Sequence, residues 1–474
     1  MPVSFTFNGV KKDYLRVLVG LERPAWAPIE EEILEIPGRP GGIITKQHTT
    51  VRRLNIPVRV YKKGFNSLEE LEEDLAAWLV TDEPKPLEFD HKPNRVYYAK
   101  VTGELIFTEY PQWADGVISF VCPDPYKYGP ELEAVFPSDI VTLTNNGTAE
   151  ADPIFELEVK KPVTFAMIAN QDNEYMMIGQ PADVDVEVVN QRVPILEERG
   201  QSLDEWYTPP GDWTGHFTTT GDAIVIGSWG EGEEWRGPAL MREIDALDDY
   251  EIEMYVYVRT EQPNQTFAIS TNFYDEYNNE LGMLRIWDKW TGNIKKVVEA
   301  RIGPYVGQYQ NYLISDRNYD LRGQRVWGGI IRVRKEGNTF TFYTSRISQA
   351  GRHVTPLTVT YTDNEKKYAG RLKFVRFSMR TYGNTGTPNE IRIEHIKVTK
   401  LNKVEEDQTP YIAYPGDLIT FDHKNADILI NGESRADLKQ LGASFFRLKK
   451  DENLLVVSPD DSFDVKCKYR PTYL

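Results

Sequence analysis

The chain has 474 residues and only two cysteines, Cys122 and Cys467, far apart in sequence. So low a number excludes a disulfide framework and a cysteine-rich zinc cluster, and both thiols are expected to be unpaired and buried. Long apolar runs are missing too: no segment reaches the roughly 20 residues needed to span a bilayer. Positive charge is in deficit, because 72 acidic side chains face 55 basic ones and leave a formal net charge of −17. Such a surface repels phosphate backbones and anionic lipid, so nucleic acid and membranes are poor partners, and it keeps an abundant protein soluble. The start, MPVSFTFNGVKKDYLRV, goes straight into an alternating pattern without an apolar leader. The expectation is a chain with no signal peptide, made in the cytoplasm.

Catalytic signatures are equally scarce. There is no P-loop, dinucleotide fingerprint, HExxH or Gly-x-Ser-x-Gly. The six histidines (His48, His91, His216, His353, His395 and His423) lack metal-ligand spacing, and no cofactor or metal is expected. A sandwich glycosidase would place paired carboxylates on a strand facing a sugar. The nearest match, Glu243-Ile244-Asp245-Ala246-Leu247-Asp248, reads as a loop ahead of the strand Tyr250 to Arg259. A non-enzymatic protein is the expectation.

What is present is β pattern. Alternation runs through Phe5, Phe7, Leu15, Val17 and Val19, and again through 51–60, 97–105 and 117–121. A Pro-Gly-rich turn at 37–42 makes a long hairpin that carries His48, Arg52 and Arg53, with Arg39 at its turn. These arginines are placed to contact a neighbouring subunit, or to protect a solvated edge by charge. One helix is predicted from Ser67. Ser67 and Glu70 form a capping box, Leu68, Leu71, Leu75, Trp78 and Leu79 form an apolar stripe, and acidic residues fill the first turns. One helix on a small sheet is an α+β domain.

A second unit begins near Leu132. The segments 142–144, 154–159, 165–169, 174–178 and 184–188 read as strands, with Asn145-Asn146-Gly147-Thr148 as a turn between the first two. They stop before a sandwich is complete. Strands of the same style resume at 418–422, 427–430 and 454–457, with turns at Asn431-Gly432 and 450–453, so the two halves together close one sandwich. Between them, residues 190–402 hold seven of the chain's ten tryptophans and almost no helical periodicity. The runs 250–259, 266–273, 282–287, 329–333, 339–344, 372–379 and 391–398 predict an inserted two-sheet sandwich, joined by acidic, proline-bearing linkers at 193–202 and 404–410.

The flanks resemble a known family. Leu75-Ala76-Ala77-Trp78-Leu79, Leu87-Glu88-Phe89-Asp90, Tyr97-Tyr98-Ala99-Lys100-Val101 and the closing 120–129 are similar to the N-terminal domain of siphophage distal tail (Dit) proteins. Asn145-Asn146-Gly147-Thr148 with Pro153-Ile154, Gly416-Asp417-Leu418-Ile419, and the hairpin from Ser444-Phe445-Phe446-Arg447-Leu448 to Asn453 resemble the family's galectin-like domain. Where the family has Pro-Gly before that asparagine, this chain has Asp451-Glu452. The resemblance implies a mainly β protein: an N-terminal α+β ring-forming domain (1–129), and a galectin-like β-sandwich (130–190 and 406–474) split by a concanavalin- or lectin-like β-sandwich (191–405). It further implies a homo-hexameric ring in the virion, at the tail tip, joining the tail tube protein to a tip protein or tail-associated lysin. In the "evolved" members such an insert is a carbohydrate-binding module.

Sugar recognition needs a ring that stacks on a pyranose face and polar groups for the hydroxyls. Tyr274, Asp275 and Tyr277, with Trp287, Asp288 and Trp290, supply that mixture near strand ends, and Trp327, Tyr343 and Tyr382 are placed to share the face. The loop Ser228 to Trp235 is a weaker candidate, whose carboxylates also suit Ca²⁺ without an ordered ligand pattern. Host cell-wall polysaccharide is the expected ligand. Two alternatives stay open: a protein-docking or spacer module, and a glycan hydrolase.

Overall fold

A computed structural model describes residues 4–38, 40–62, 64–182, 187–306, 311–315, 320–405 and 408–474. Arg39 and most of the strand expected at 184–188 lie outside the described residues. The chain divides into two compact units, Met1–Gly179 with Tyr414–Leu429 and Arg435–Leu474, and Gln180–Ala413 with Ile430–Ser434.

The first unit opens with a sheet in the order Phe5–Phe7, Lys85–Phe89, Val96–Val101, Trp113–Cys122, Arg52–Tyr61, Leu15–Val17. In Arg52–Tyr61 the burial alternates strictly, so Leu54, Ile56, Val58 and Val60 face the core. The helix Leu68–Leu79 lies on that core through Leu71, Leu75, Trp78 and Leu79. Trp78 stacks on Phe5 at 5.6 Å between ring centres and donates its indole N–H to the Phe7 carbonyl at 3.0 Å. Ser67 Oγ accepts the Glu70 N–H as predicted, whereas the Glu70 carboxylate reaches one residue further back, to the Asn66 N–H at 2.8 Å. Arg52 is not on an exposed edge. Its guanidinium is buried and donates to the Pro125 and Pro24 carbonyls, because Arg52 shares the inward parity of Leu54. The hairpin of Ile29–Glu35 and Gly42–Thr49 is exposed along its whole length.

Two further sheets in this unit draw on both sides of the insertion. Ile154–Val159 lies between Leu418–Asp422 and Phe463–Tyr469, with Phe155 opposite Phe421 and Cys467. In the other sheet, Asp451–Ser458 lies between Ile140–Asn145 and Phe165–Asn170. Residues 145–148 therefore do not close a hairpin; they carry the chain from one sheet to the other. Asn145 holds that crossing by donating to the Ala149 and Leu448 carbonyls, and a side chain at Gly147 would sit 2.4 Å from the Thr472 carbonyl. The substituted turn before Asn453 is held by Asp451, which takes a left-handed φ of +69° where the family has proline, and by Asn453, which bonds back to Lys449. Both cysteines are buried and unpaired.

The second unit is a two-sheet sandwich. One sheet runs His216–Thr219, Ile224–Ser228, Glu390–Leu401, Tyr250–Arg259, Val326–Glu336, Thr339–Ile347, His353–Thr362. The other runs Trp235–Arg236, Leu372–Tyr382, Phe267–Asp275, Glu280–Asp288, Lys295–Ile302, Tyr312–Ile314. The core between them takes Ile252, Met254, Val256 and Val258 from one side and Ile269, Phe273, Ile286, Val298, Val375 and Phe377 from the other. Two sequence expectations need correction. Arg192–Glu198, with 193–198 expected as a linker, is a strand paired with Glu390–Leu401; a bulge lets the adjacent Ile195 and Leu196 both meet the core. Ala239–Leu247, expected to end in a loop, is a strand against Leu372–Tyr382, where Glu243 pairs with Lys373. The entry and exit segments Glu187–Val189 and Gln408–Pro410 pair in parallel.

Candidate functional site

The outward side of the second sheet collects the insert's rings and cations. Strand parity sets which residues reach it. Ile286 opposes Ile269 and points into the core, so the next residue, Trp287, points outward in a row with Ala268 and Val297. The small side chain of Ala268 leaves room for the indole. Trp287 meets Trp235 at 6.1 Å and Trp290 at 6.2 Å, and Trp235 meets Tyr382 edge-on at 5.7 Å. Arg285 lies 3.7 Å from the Trp287 ring centre and pairs with Glu299. Lys289 covers both Trp287 and Trp290, and Lys295 lies 4.4 Å from the Trp290 ring centre. Trp287 itself is only 8% exposed, whereas Tyr382 is 43% exposed.

The two halves of the sequence-predicted site do not meet. Tyr274, Asp275 and Tyr277 sit where the hairpin Phe267–Asp275/Glu280–Asp288 turns, and Trp287, Asp288 and Trp290 sit at its open end. Trp287 lies seven residue steps along the strand from Glu280, roughly 20–25 Å. Both aspartates are occupied by turn formation. Asp275 accepts the N–H groups of Tyr277 and Asn279 and the Asn279 amide. Asp288 accepts the N–H groups of Trp290 and Lys295, and burial pushes its carboxyl up to about 6. Tyr277 is 79% exposed at the hairpin tip. Trp327 does not join the face. It stands opposite Val258, inherits that residue's inward parity, and is fully buried in the core. Tyr343 is buried on the other sheet, bonded to His353 Nδ1.

A track that the sequence reading missed joins the two ends. Arg376, Ser378 and Arg380 face outward because Val375, Phe377 and Met379 face in. Arg376 lies 5.2 Å from the Tyr274 ring centre and 5.1 Å from that of Trp213. Arg380 lies 5.3 Å from the same Trp213 ring and donates to the Trp235 carbonyl. The Nε groups of both arginines are buried without an acceptor among the described residues. The alternation in 372–379 carried the signal, but the loop that brings Trp213 over the strand left none. Rings and guanidiniums thus alternate from Tyr274 through Arg376, Trp213 and Arg380 to Trp235, where the track continues along one face as the directly contacting rings of Trp235, Trp287 and Trp290. Among the described residues no group of His, Cys, Asp and Glu has metal-holding geometry.

Residues 11–122 match the family model of the phage tail protein RIFT-related domain, and residues 382–473 match that of the siphovirus-type tail component, C-terminal domain. The distal tail protein of Bacillus phage SPP1 is 29% identical over 119 residues, covering 25% of this chain and 47% of that protein. The chain belongs to the siphophage distal tail family. As a distal tail protein it is a structural component of the virion tail. It spans about half the length of the curated relative it matches. Among solved structures, the SPP1 distal tail protein aligns at 23% identity over 37% of this chain and 74% of that one, with a TM-score of 0.34. The CBM2 module of the evolved Dit of Lactobacillus casei BL23 phage J-1 aligns at 10% identity over 46% of this chain and 100% of that one, with a TM-score of 0.37.

Proposed function

We propose that this distal tail protein forms a homo-hexameric hub between tail tube and tail tip or lysin, and that its insert binds host cell-wall saccharide during adsorption without catalysis. The domain division that goes with this reading is 1–129, 130–190 with 406–474, and 191–405. The observation that carries the saccharide reading is the track of rings and cations from Tyr274 through Trp213 and Trp235 to Trp290. Aromatic faces suit pyranose faces, guanidiniums suit hydroxyls and anionic substituents, and an extended track suits a polymer better than a single sugar. Weak contacts of this kind gain strength through repetition around a ring.

Self-association is supported by the exposed hairpin, which leaves Ile29, Ile33, Leu34, Ile43 and Ile44 uncovered. The spacer reading draws support from the burial of Trp327, Asp275 and Asp288. Retention of the full-length protein on purified host cell walls separates the two. Saccharide binding requires retention that Trp290→Ala and Tyr382→Ala weaken at least fivefold. Absence of retention, or equal retention by both variants, leaves the spacer reading.

A further inference from the structure

The N-terminal sheet holds a second concentration of cations, well separated in sequence from the insert. Arg23, Lys92, Arg95 and Lys127 line a cavity of about 270 Å³ whose apolar wall is Pro24, Phe89 and Tyr97. A fifth cation, Arg52, is buried beside it, 5.9 Å from the Tyr97 ring centre.

These charges are not neutralised. Arg23 donates to His91 Nε2 at 3.1 Å, Arg95 donates to the Asn94 carbonyl and stacks on Tyr473 at 3.5 Å, and Arg52 donates to two proline carbonyls. Among the described residues no carboxylate pairs with Arg23, Lys92, Arg95 or Lys127. The carboxylates next to them in sequence are engaged elsewhere. Glu22 accepts from Asn55, Asp90 from Lys11, and Asp124 from the Tyr126 N–H and the Tyr128 hydroxyl. In a chain of net charge −17 this is a local inversion of sign. Like charges gathered around a partly desolvated cavity repel strongly, and the cost shows at Lys127, whose ammonium is pulled down to about 8 by burial and by Arg52, Arg23, Lys92 and Arg95. Guanidinium and ammonium donors around a cavity that offers them neutral acceptors and, among the described residues, no paired carboxylate match the oxygens of a compact anion.

We propose that this cavity is an oxyanion site that takes one phosphate or carboxylate group, held by Arg23, Lys92, Arg95 and Lys127. Phosphate would come from a free ion or a phosphorylated compound. Carboxylate would come from a small acid or the acidic side chain of a neighbouring tail protein.

Titration of the full-length protein with inorganic phosphate and, separately, with glutarate, at constant ionic strength kept with sodium chloride, tests the site calorimetrically. Saturable binding of at least one probe is expected, weakened at least tenfold by Lys127→Met and by Arg23→Gln. Tighter phosphate assigns the first source and tighter glutarate the second. Lys127→Met should also melt at a higher temperature than the parent without anion, since it keeps the side-chain stem and removes one repelling charge. That shift shows the variant is folded and is absent if the cations are independent. No saturable binding of either probe, or unchanged binding in both variants, overturns the proposal.

Discussion

Glu251→Gln should destabilise the inserted sandwich by about 3 kcal/mol at neutral pH. Glu251 is 3% exposed on the central strand Tyr250–Arg259, and its carboxylate faces three guanidiniums. Arg192 pairs with it, Arg334 Nε lies 3.0 Å away, and Arg332 Nε lies 3.9 Å away. Burial alone would raise the carboxyl. The arginines win and hold it at about 2, against an ordinary 4.5. A depression of that size corresponds to about 3 kcal/mol of linked stability, and removing one partner of a buried pair costs a comparable 3–5 kcal/mol. For a unit of this size the melting temperature should fall by roughly 6–12 °C. The sign with pH follows from the depressed value. The contribution is complete above pH 4.5 and is lost as pH falls towards 2. Calorimetric melts of parent and variant at pH 7, 4.5 and 3 should therefore show a gap that narrows with acid. Equal melting temperatures at pH 7, or a gap of constant size across the series, would refute the reasoning.

Trp327→Ala should cost about 3–5 kcal/mol through the cavity left in the core, with urea melts as the measure, because no part of that ring reaches the binding face. Trp290→Ala, at a partly buried ring on the outer face, should lower melting much less than Trp327→Ala, yet weaken cell-wall retention. Retention that depends on Arg376 and Arg380 should fall as sodium chloride rises from 0.05 to about 0.5 M, and the Arg376→Gln/Arg380→Gln pair should flatten that dependence. Ile33→Glu with Ile44→Glu should shift the protein towards monomer in analytical ultracentrifugation and abolish rings in negative-stain images, since both side chains are exposed and their charge would not disturb the core.

The strands of the insert were legible because a half-buried strand must alternate, and Tyr250–Arg259 or Leu372–Tyr382 cannot hide that period. The helix was legible from Ser67 and its apolar stripe for the same reason. Turn-dependent readings fared worse. Asn145-Asn146-Gly147-Thr148 has the composition of a hairpin turn, but crosses between sheets because Ile140–Asn145 finds its partner in Asp451–Ser458. Trp-Asp-x-Trp at 287–290 did mark an aromatic cluster. Its aspartate serves the turn, however, since backbone N–H groups at a hairpin end compete for any nearby carboxylate.

Local order along the chain thus decided the β character, the single predicted helix, the family and the place of the interruption, because each depends on periodicity and short motifs. Which rings share a surface was decided by register. One residue of parity separates buried Trp327 from an outward position, and the same parity brings Arg376 and Arg380 to the face that carries Trp287. Only tertiary pairing sets that parity against distant strands. The same is true of the cations at residues 23, 92, 95 and 127, which are scattered in sequence and gathered by the fold around one cavity.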